Sequence, residues 1–477
     1  MSATSAPKLP GSMGNSLNFL KRILLPLIIL SVAHLAASQE TQHKSQPHGL
    51  EHLLPQLSHR GNHQLELQKE ESRAEYRIII AWILCFIAAS VSSAGGVGGG
   101  SLYLPILNLV AGLDLKSSTS HSAFMVTAGS LSNVLYNIFF ASPGPGGKTL
   151  INYEICLLSE PCMLLGVSIG VVCNIMFPEW LITALFAAFL ASSTYKTCSA
   201  GFKFWRLETE EVRRGEAFRL ERGGNEVDEK GMEEPFLGGG EGGGLRVPWK
   251  DLVVLLMIWL CFFVLHVLLG DKAGKGVVNI KPCGVAYWLI TLSQVPFAIV
   301  FTAYILYDKK KKRLQPQSQQ DIDGKDIAAE TRMEALPMFV FPSAALFTGV
   351  LGGLFGIGGG LLINPVLLQI GIPPQITAAT TTFIVLFSAS MSMVQYVILG
   401  MKGIGRASIY AAVSFVASAL GLAIIEKAIQ KSGRVSIIVF MVSMVMVLST
   451  VSITCFGAID VWRQYTTGSY MGFKPPC

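Results

Sequence analysis

The chain has 477 residues, 51% of them hydrophobic and only 14% charged, with a mean hydropathy of +0.50. A soluble chain carries about a quarter charged residues, so this balance excludes an ordinary soluble domain and points to a polytopic membrane protein. The net charge of +6 is small, and the placement of the lysines beside apolar segments, as in "KKKKR" at 309–313, says more than the total.

In chain order, Lys21 and Arg22 precede "ILLPLIILSVAHLAAS", which has the length of a signal-peptide core and ends in small residues. Residues 1–38 are read as a signal peptide cleaved near Ser38, with an uncleaved anchor as the alternative. Residues 39–77 form a polar lumenal or extracellular arm. Its His43, His48, His52, His59 and His63 are scattered among Gln and Glu, which suits a solvated arm better than a metal site or a pH sensor.

From Ile78 the chain reads as membrane spans. The first transmembrane repeat, 78–200, holds 78–110 (interrupted by "GGVGGG"), 121–141, 153–177 and 179–199. Residues 201–250 form a cytosolic linker in which "GGGEGGG" at 238–244 reads as flexible chain and not as a phosphate cradle. Two central helices follow in 251–307, at 251–270 and 284–307, and then a basic cytosolic loop, 308–337. The second repeat, 338–456, holds 338–370 (again interrupted), 377–399, 407–426 and 435–456, and 457–477 is a tail. Six cysteines (Cys85, Cys156, Cys162, Cys173, Cys261, Cys455) lie in apolar runs, so no disulfide framework is expected. No CxxC, HExxH, Walker or GxGD motif occurs, so the chain is expected to be neither metalloprotein nor enzyme and to need no cofactor.

The two interrupted stretches match each other. "GGVGGGSLYLP" and "FGIGGGLLINP" align without a gap at a shift of 260 residues, setting Gly96, Gly98, Gly99, Gly100 and Pro105 on Gly356, Gly358, Gly359, Gly360 and Pro365. The register continues through Ser130, Ser132 and Tyr136 onto Ser390, Ser392 and Tyr396. The expected fold is therefore an all-α polytopic membrane protein of two homologous repeats, each a glycine-broken or re-entrant segment plus three spans, with two additional central spans.

Charge placement bears on orientation. If each broken stretch crosses once, "KKKKR" falls outside, against the positive-inside rule. An even number of crossings, as a hairpin or two short spans, returns both polar loops to the cytosol and inverts the second half, at the expense of leaving Lys402 and Arg406 outside. Parallel repeats behind an N-terminus that never crosses are the alternative.

Inverted halves with matching breaks are the signature of a secondary transporter with its site near the bilayer midplane. Non-helical backbone survives in hydrocarbon only where it is buried in protein or lines a cavity, and glycine lets a substrate approach that backbone. A helix restarting after the break points N–H groups and a positive dipole end at the space, which suits an oxyanion. Close helix packing through small residues is the bland alternative. Further candidates to line the site are Ser101, Ser120, His121, Ser122, Asn133 and Tyr136 in the first half, and Asn364, Thr380, Thr381, Thr382, Gln395 and Tyr396 in the second. For each alone, interhelical bonding competes with substrate contact. His121 is a candidate proton carrier, with Glu154, Glu160 and Glu426 as others.

These doubled glycine–proline segments with the Ser/Thr runs after them resemble the TauE/SafE family of sulfite exporters, in a longer eukaryotic, plant-like form, over residues 78–456. The resemblance implies ion-gradient-driven export of small sulfur anions such as sulfite or organosulfonates, without ATP. Expected partners are that anion, the lipid bilayer, a coupling proton and a second copy of the chain, and no nucleic acid. A secretory route to the plasma membrane or an endomembrane follows from the signal peptide. A membrane adaptor or trafficking protein that has kept the transporter fold is the alternative function.

Overall fold

The computed structural model describes residues 76–93, 95–96, 99–139, 150–221, 248–269, 284–314, 340–370, 372–401, 403–432, 436–466 and 472–473. The signal peptide, the histidine-bearing arm, "GGGEGGG" and Gly98 lie outside them. The described residues are mostly helical, without a strand among them. In chain order the helices are α1 (Tyr76–Ser93), α2 (Gly100–Pro105, running into a π turn Ile106–Val110), α3 (Leu115–Phe139), α4 (Tyr153–Met176) and α5 (Glu179–Glu221), then α6 (Trp249–Leu269) and α7 (Val285–Leu314), then α8 (Val340–Phe355), α9 (Gly360–Ile370), α10 (Pro374–Ile398), α11 (Ile404–Ser432) and α12 (Ser436–Thr466).

Local chemistry sets several boundaries. Asp114 Oδ2 accepts from the Ser117 N–H at 3.1 Å at the start of α3, and Asn152 caps α4 by accepting from the Ile155 N–H at 3.3 Å. Proline at the first position opens α10. The π turn follows Pro105, whose missing N–H disturbs the helical ladder. α5 continues as one helix to Glu221, so the first part of the polar segment after 200 is helical.

Eight helices are long and apolar enough to cross a membrane among the described residues. α3 is not one of them, because it opens "LKSSTSHS" and carries further serines and asparagines along its length, yet Ser118 to Ser122 are buried. It is a polar helix enclosed by protein. α6 and α7 sit at the margin: α6 buries Leu255, Ile258, Phe262 and His266, while Val253, Leu256, Met257, Leu260 and Val264 stay exposed, a face for lipid.

Contacts fix the directions. α4 and α10 run the same way, since the Asn152 N–H donates to Thr380 Oγ1 (2.9 Å) at one end and Gln395 Nε2 to Ser168 Oγ (3.4 Å) towards the other. α8 runs with them: Gly349 abuts Met163, Gly353 abuts Val167, and Asn174 Nδ2 donates to the Leu354 carbonyl at 2.7 Å. α9 then returns along α10, with Gly358 beside Val385 and Ala389 and Gly360 beside Val385 and Thr381. The second broken stretch is thus a hairpin. Its returning arm of 11 residues spans about 16 Å, roughly half of a ~30 Å hydrocarbon core.

α3 is antiparallel to α10. At one end Asn133 bonds Ser93 while Ala378 abuts Gly96; at the other Thr119 abuts Gly356 while Tyr396 bonds Gly353. α11 follows α3, from His121 beside Tyr410, through the Ser414 hydroxyl donating to the Met125 carbonyl (3.0 Å), to Tyr136 OH donating to Glu426 Oε2 (2.6 Å). α12 lies antiparallel to α5, with Glu208 accepting from the Ser436 N–H (2.8 Å) and hydroxyl, and Thr194 and Thr450 in contact at 3.1 Å.

Candidate functional site

The breaks between α1 and α2 and between α8 and α9 meet. A Cβ on Gly100 would lie 2.6 Å from Ile357 Cα, a Cβ on Gly360 would lie 3.3 Å from the Gly96 carbonyl oxygen, and Asn364 Nδ2 donates to the Gly95 carbonyl. Gly96 (φ +69°) and Gly356 (φ +63°) hold the left-handed turn in each. Both are also pressed onto backbone, with Cβ positions 2.3 Å from the Ala378 oxygen and 2.2 Å from the Thr119 oxygen respectively. Conformation and space each demand glycine there.

A helix that stops inside the protein leaves carbonyls without partners. The equivalent carbonyl ahead of each break is caught by a side chain from the long helix that follows. Asn133 Nδ2 donates to the Ser93 oxygen at 3.1 Å, and Tyr396 OH to the Gly353 oxygen at 2.7 Å. Asn133 and Tyr396 thereby tie α3 and α10 to the breaks.

Around this crossing the polar groups are uneven. On the first break's side, the Cβ direction of Gly99 points at Tyr103 OH (2.5 Å) and Ser92 Oγ (2.8 Å), and Tyr103 OH lies 2.9 Å from Ser414 Oγ. On the second, Ser388 Oγ accepts from the Gly359 N–H at 3.2 Å. Sequence reasoning missed Ser92, Tyr103, Ser388 and Ser414. Tyr103 alone left a signal, as a tyrosine standing where the second copy has Ile363.

Several buried polar atoms have no partner among the described residues: Ser101 Oγ, Ser122 Oγ, Ser130 Oγ and the Asn133 Oδ1. Ser122, Val126, Ser130 and Asn133 recur at helical spacing on one stripe of α3. Val126 Cγ1 is 3.4 Å from the Cβ position of Gly358, and Asn133 bonds Ser93, so the stripe faces the crossing.

Not every candidate converges there. Ser120 Oγ donates to the Ser117 carbonyl (2.9 Å), and His121 Nδ1 shares that carbonyl (2.7 Å) with its ring edge-on to Tyr410 at the start of α11. Thr380 is engaged with Asn152, and Thr381 and Thr382 bond back to the Thr377 and Ala378 carbonyls (2.5 and 2.8 Å). Gln395 turns to Ser168 and Tyr136 to Glu426. Pro105 lines a separate, mostly apolar pocket with Asn108, Thr119, Trp180 and Phe355. No group of three or more His, Cys, Asp or Glu able to hold a metal occurs among the described residues.

The paired breaks are the trait to compare with known proteins, and each falls in a separate family match. The family model for "Sulfite exporter TauE/SafE" matches residues 9–197 and again 242–450. The chain belongs to the TauE/SafE sulfite exporter family. It is 48% identical to Sulfite exporter TauE/SafE family protein 5 of Arabidopsis thaliana, over 95% of this chain and 99% of that one. Family protein 2 of the same plant is 48% identical over 95% and 99%, and family protein 1 is 47% identical over 84% and 88%. No solved structure matches significantly. Membership of the TauE/SafE family together with the eight apolar helices makes the chain an integral, multi-pass membrane transporter.

Proposed function

We propose that this TauE/SafE transporter exports a small sulfur oxyanion, sulfite or an organosulfonate, by a gradient-coupled secondary mechanism, holding it where the two glycine breaks cross. The observation that carries this reading is the contact between the breaks, with Asn364 bonded to Gly95, together with the buried hydroxyls of Ser101 and of Ser122 and Ser130 on the α3 stripe, which have no partner among the described residues. Unsatisfied polar groups at membrane depth are costly, and a bound oxyanion would accept from those hydroxyls. A monoanion held by neutral donors avoids the cost of a permanent buried cation.

The directions of the helices support inverted repeats. α3 and α10 occupy equivalent places in the two copies and run antiparallel, and we read the first break as a hairpin like that of α8 and α9, an even number of crossings that sets "KKKKR" in the cytosol. We read the N-terminal segment as the address for a secretory route to the plasma membrane or an endomembrane. Efflux of sulfite and of methanesulfonate from proteoliposomes tests the reading. Saturable, protein-dependent efflux of either is expected, and none from folded protein would refute it.

A further inference from the structure

Glu160 lies two turns into α4, 4% exposed, and neither carboxyl oxygen has a partner among the described residues. It lines a small pocket with Cys156 and Met163 of α4, Leu255 of α6, and Phe383 and Ser388 of α10. The other titratable group on that lining is the Cys156 thiol, and the lining residues from α6 and α10, Leu255, Phe383, Ile384, Phe387 and Ser388, carry no charge. Glu426, by contrast, is engaged by Tyr136 OH at 2.6 Å. A carboxylate without partner or water is among the most costly groups to bury, and a proton removes that cost. Intramembrane carboxyls of this kind serve transporters as proton stations.

The pocket is joined to the second break by Met163, which abuts Gly359, and by a hydrogen bond through Ser388. Ser388 lines it and also accepts from the Gly359 N–H at 3.2 Å. We propose that Glu160 is the proton site of this transporter and that its proton travels together with the anion. The proposal rests on the transport reading above. An anion at the crossing and a carboxylate behind Ser388 would repel each other at low dielectric, so the anion binds while Glu160 holds its proton. Water delivers the proton to one carboxyl oxygen as the pocket opens on one side. The same O–H bond breaks to water on the other side after the anion leaves. A monoanion and a proton cross together with no net charge.

The test is efflux of sulfite or methanesulfonate from proteoliposomes carrying a trapped pH dye, comparing wild type with Glu160→Gln at one pH so that any proton carried by bisulfite itself cancels. Wild type is expected to move one more proton per anion than Glu160→Gln. A pH gradient is expected to drive uphill anion movement in wild type and not in the variant, which still lets anion run down its own gradient. Glu160→Asp, which keeps the acid, restores pH-driven transport. Equal proton movement in wild type and Glu160→Gln, or retained uphill transport in Glu160→Gln, overturns the proposal while leaving the transport reading intact. Loss of downhill flux in a Glu160→Gln protein that melts like wild type also overturns it, since the side chain is then needed for the anion itself. Absence of all anion flux in wild type instead overturns the transport reading, and this proposal with it.

Discussion

Asn364 on α9 donates from its Nδ2 to the carbonyl oxygen of Gly95, so the arm that follows the second break satisfies the backbone of the first. In the sequence register its counterpart is Leu104, which cannot return the bond. Among the described residues, the side-chain tie from the second segment to the first has no mirror-image partner. Asn364→Leu keeps the branched shape but strands a buried carbonyl, and it is expected to cost about 1–3 kcal/mol. The check is the melting temperature in detergent, together with a flux loss larger than that of Asn364→Gln.

Gly96 and Gly356 combine a positive φ with a Cβ position jammed against backbone oxygen. Gly96→Ala and Gly356→Ala should each add about 1–3 kcal/mol of backbone strain, with steric overlap beyond that, and yield little monodisperse protein by size-exclusion chromatography. Gly405, with nothing within 4 Å of its Cβ position, is the control. Gly405→Ala should change stability by no more than about 1 kcal/mol, in the favourable direction.

Much of this was legible in the sequence, for physical reasons that differ by element. The spans showed as apolar runs, and the breaks as glycines and a proline repeated in one register, because a helix break in a membrane needs specific residues. α3 reads as a span from 121 without its polar start, since "LKSSTSHS" looks like loop until a protein environment encloses it. The hairpin of α8 and α9 stood beside a single kinked crossing and two short spans, and only contacts such as Gly358 on Val385 and Tyr396 on Gly353 set its direction. The Tyr103–Ser414 pair joins residues far apart in the chain, and no local pattern encodes such a bond. Packing and substrate approach were offered as rival uses of the glycines. The Cβ positions of Gly96, Gly100 and Gly356 are filled by neighbouring backbone, so close packing is a demand in its own right.

Glu208, near the end of the membrane part of α5, accepts from both the backbone and the hydroxyl of Ser436 at the start of α12. Glu208→Ala removes this cap and should lower stability by about 1 kcal/mol. It lies far along α5 from the crossing, so anion flux per folded protein should stay at the wild-type level. A thermal melt and a flux assay on the same preparation separate the two effects.

Lys311, in the basic end of α7 and exposed, reports orientation. A cysteine placed there in an otherwise cysteine-free background is expected to react with an impermeant maleimide only from the cytosolic side. Reaction from the exterior would reverse the topology and, with it, the even number of crossings assigned to each broken stretch.

The most direct measurement is sulfite efflux from proteoliposomes carrying Ser122→Ala or Ser130→Ala beside wild type, with the melting temperature of each. These buried hydroxyls have no partner among the described residues, so removing them should leave stability unchanged or slightly raised. Flux should nevertheless fall by roughly tenfold for each, the equivalent of one lost hydrogen bond to the anion. Unchanged flux in both variants, at wild-type stability, would contradict the assignment of the crossing as the anion site.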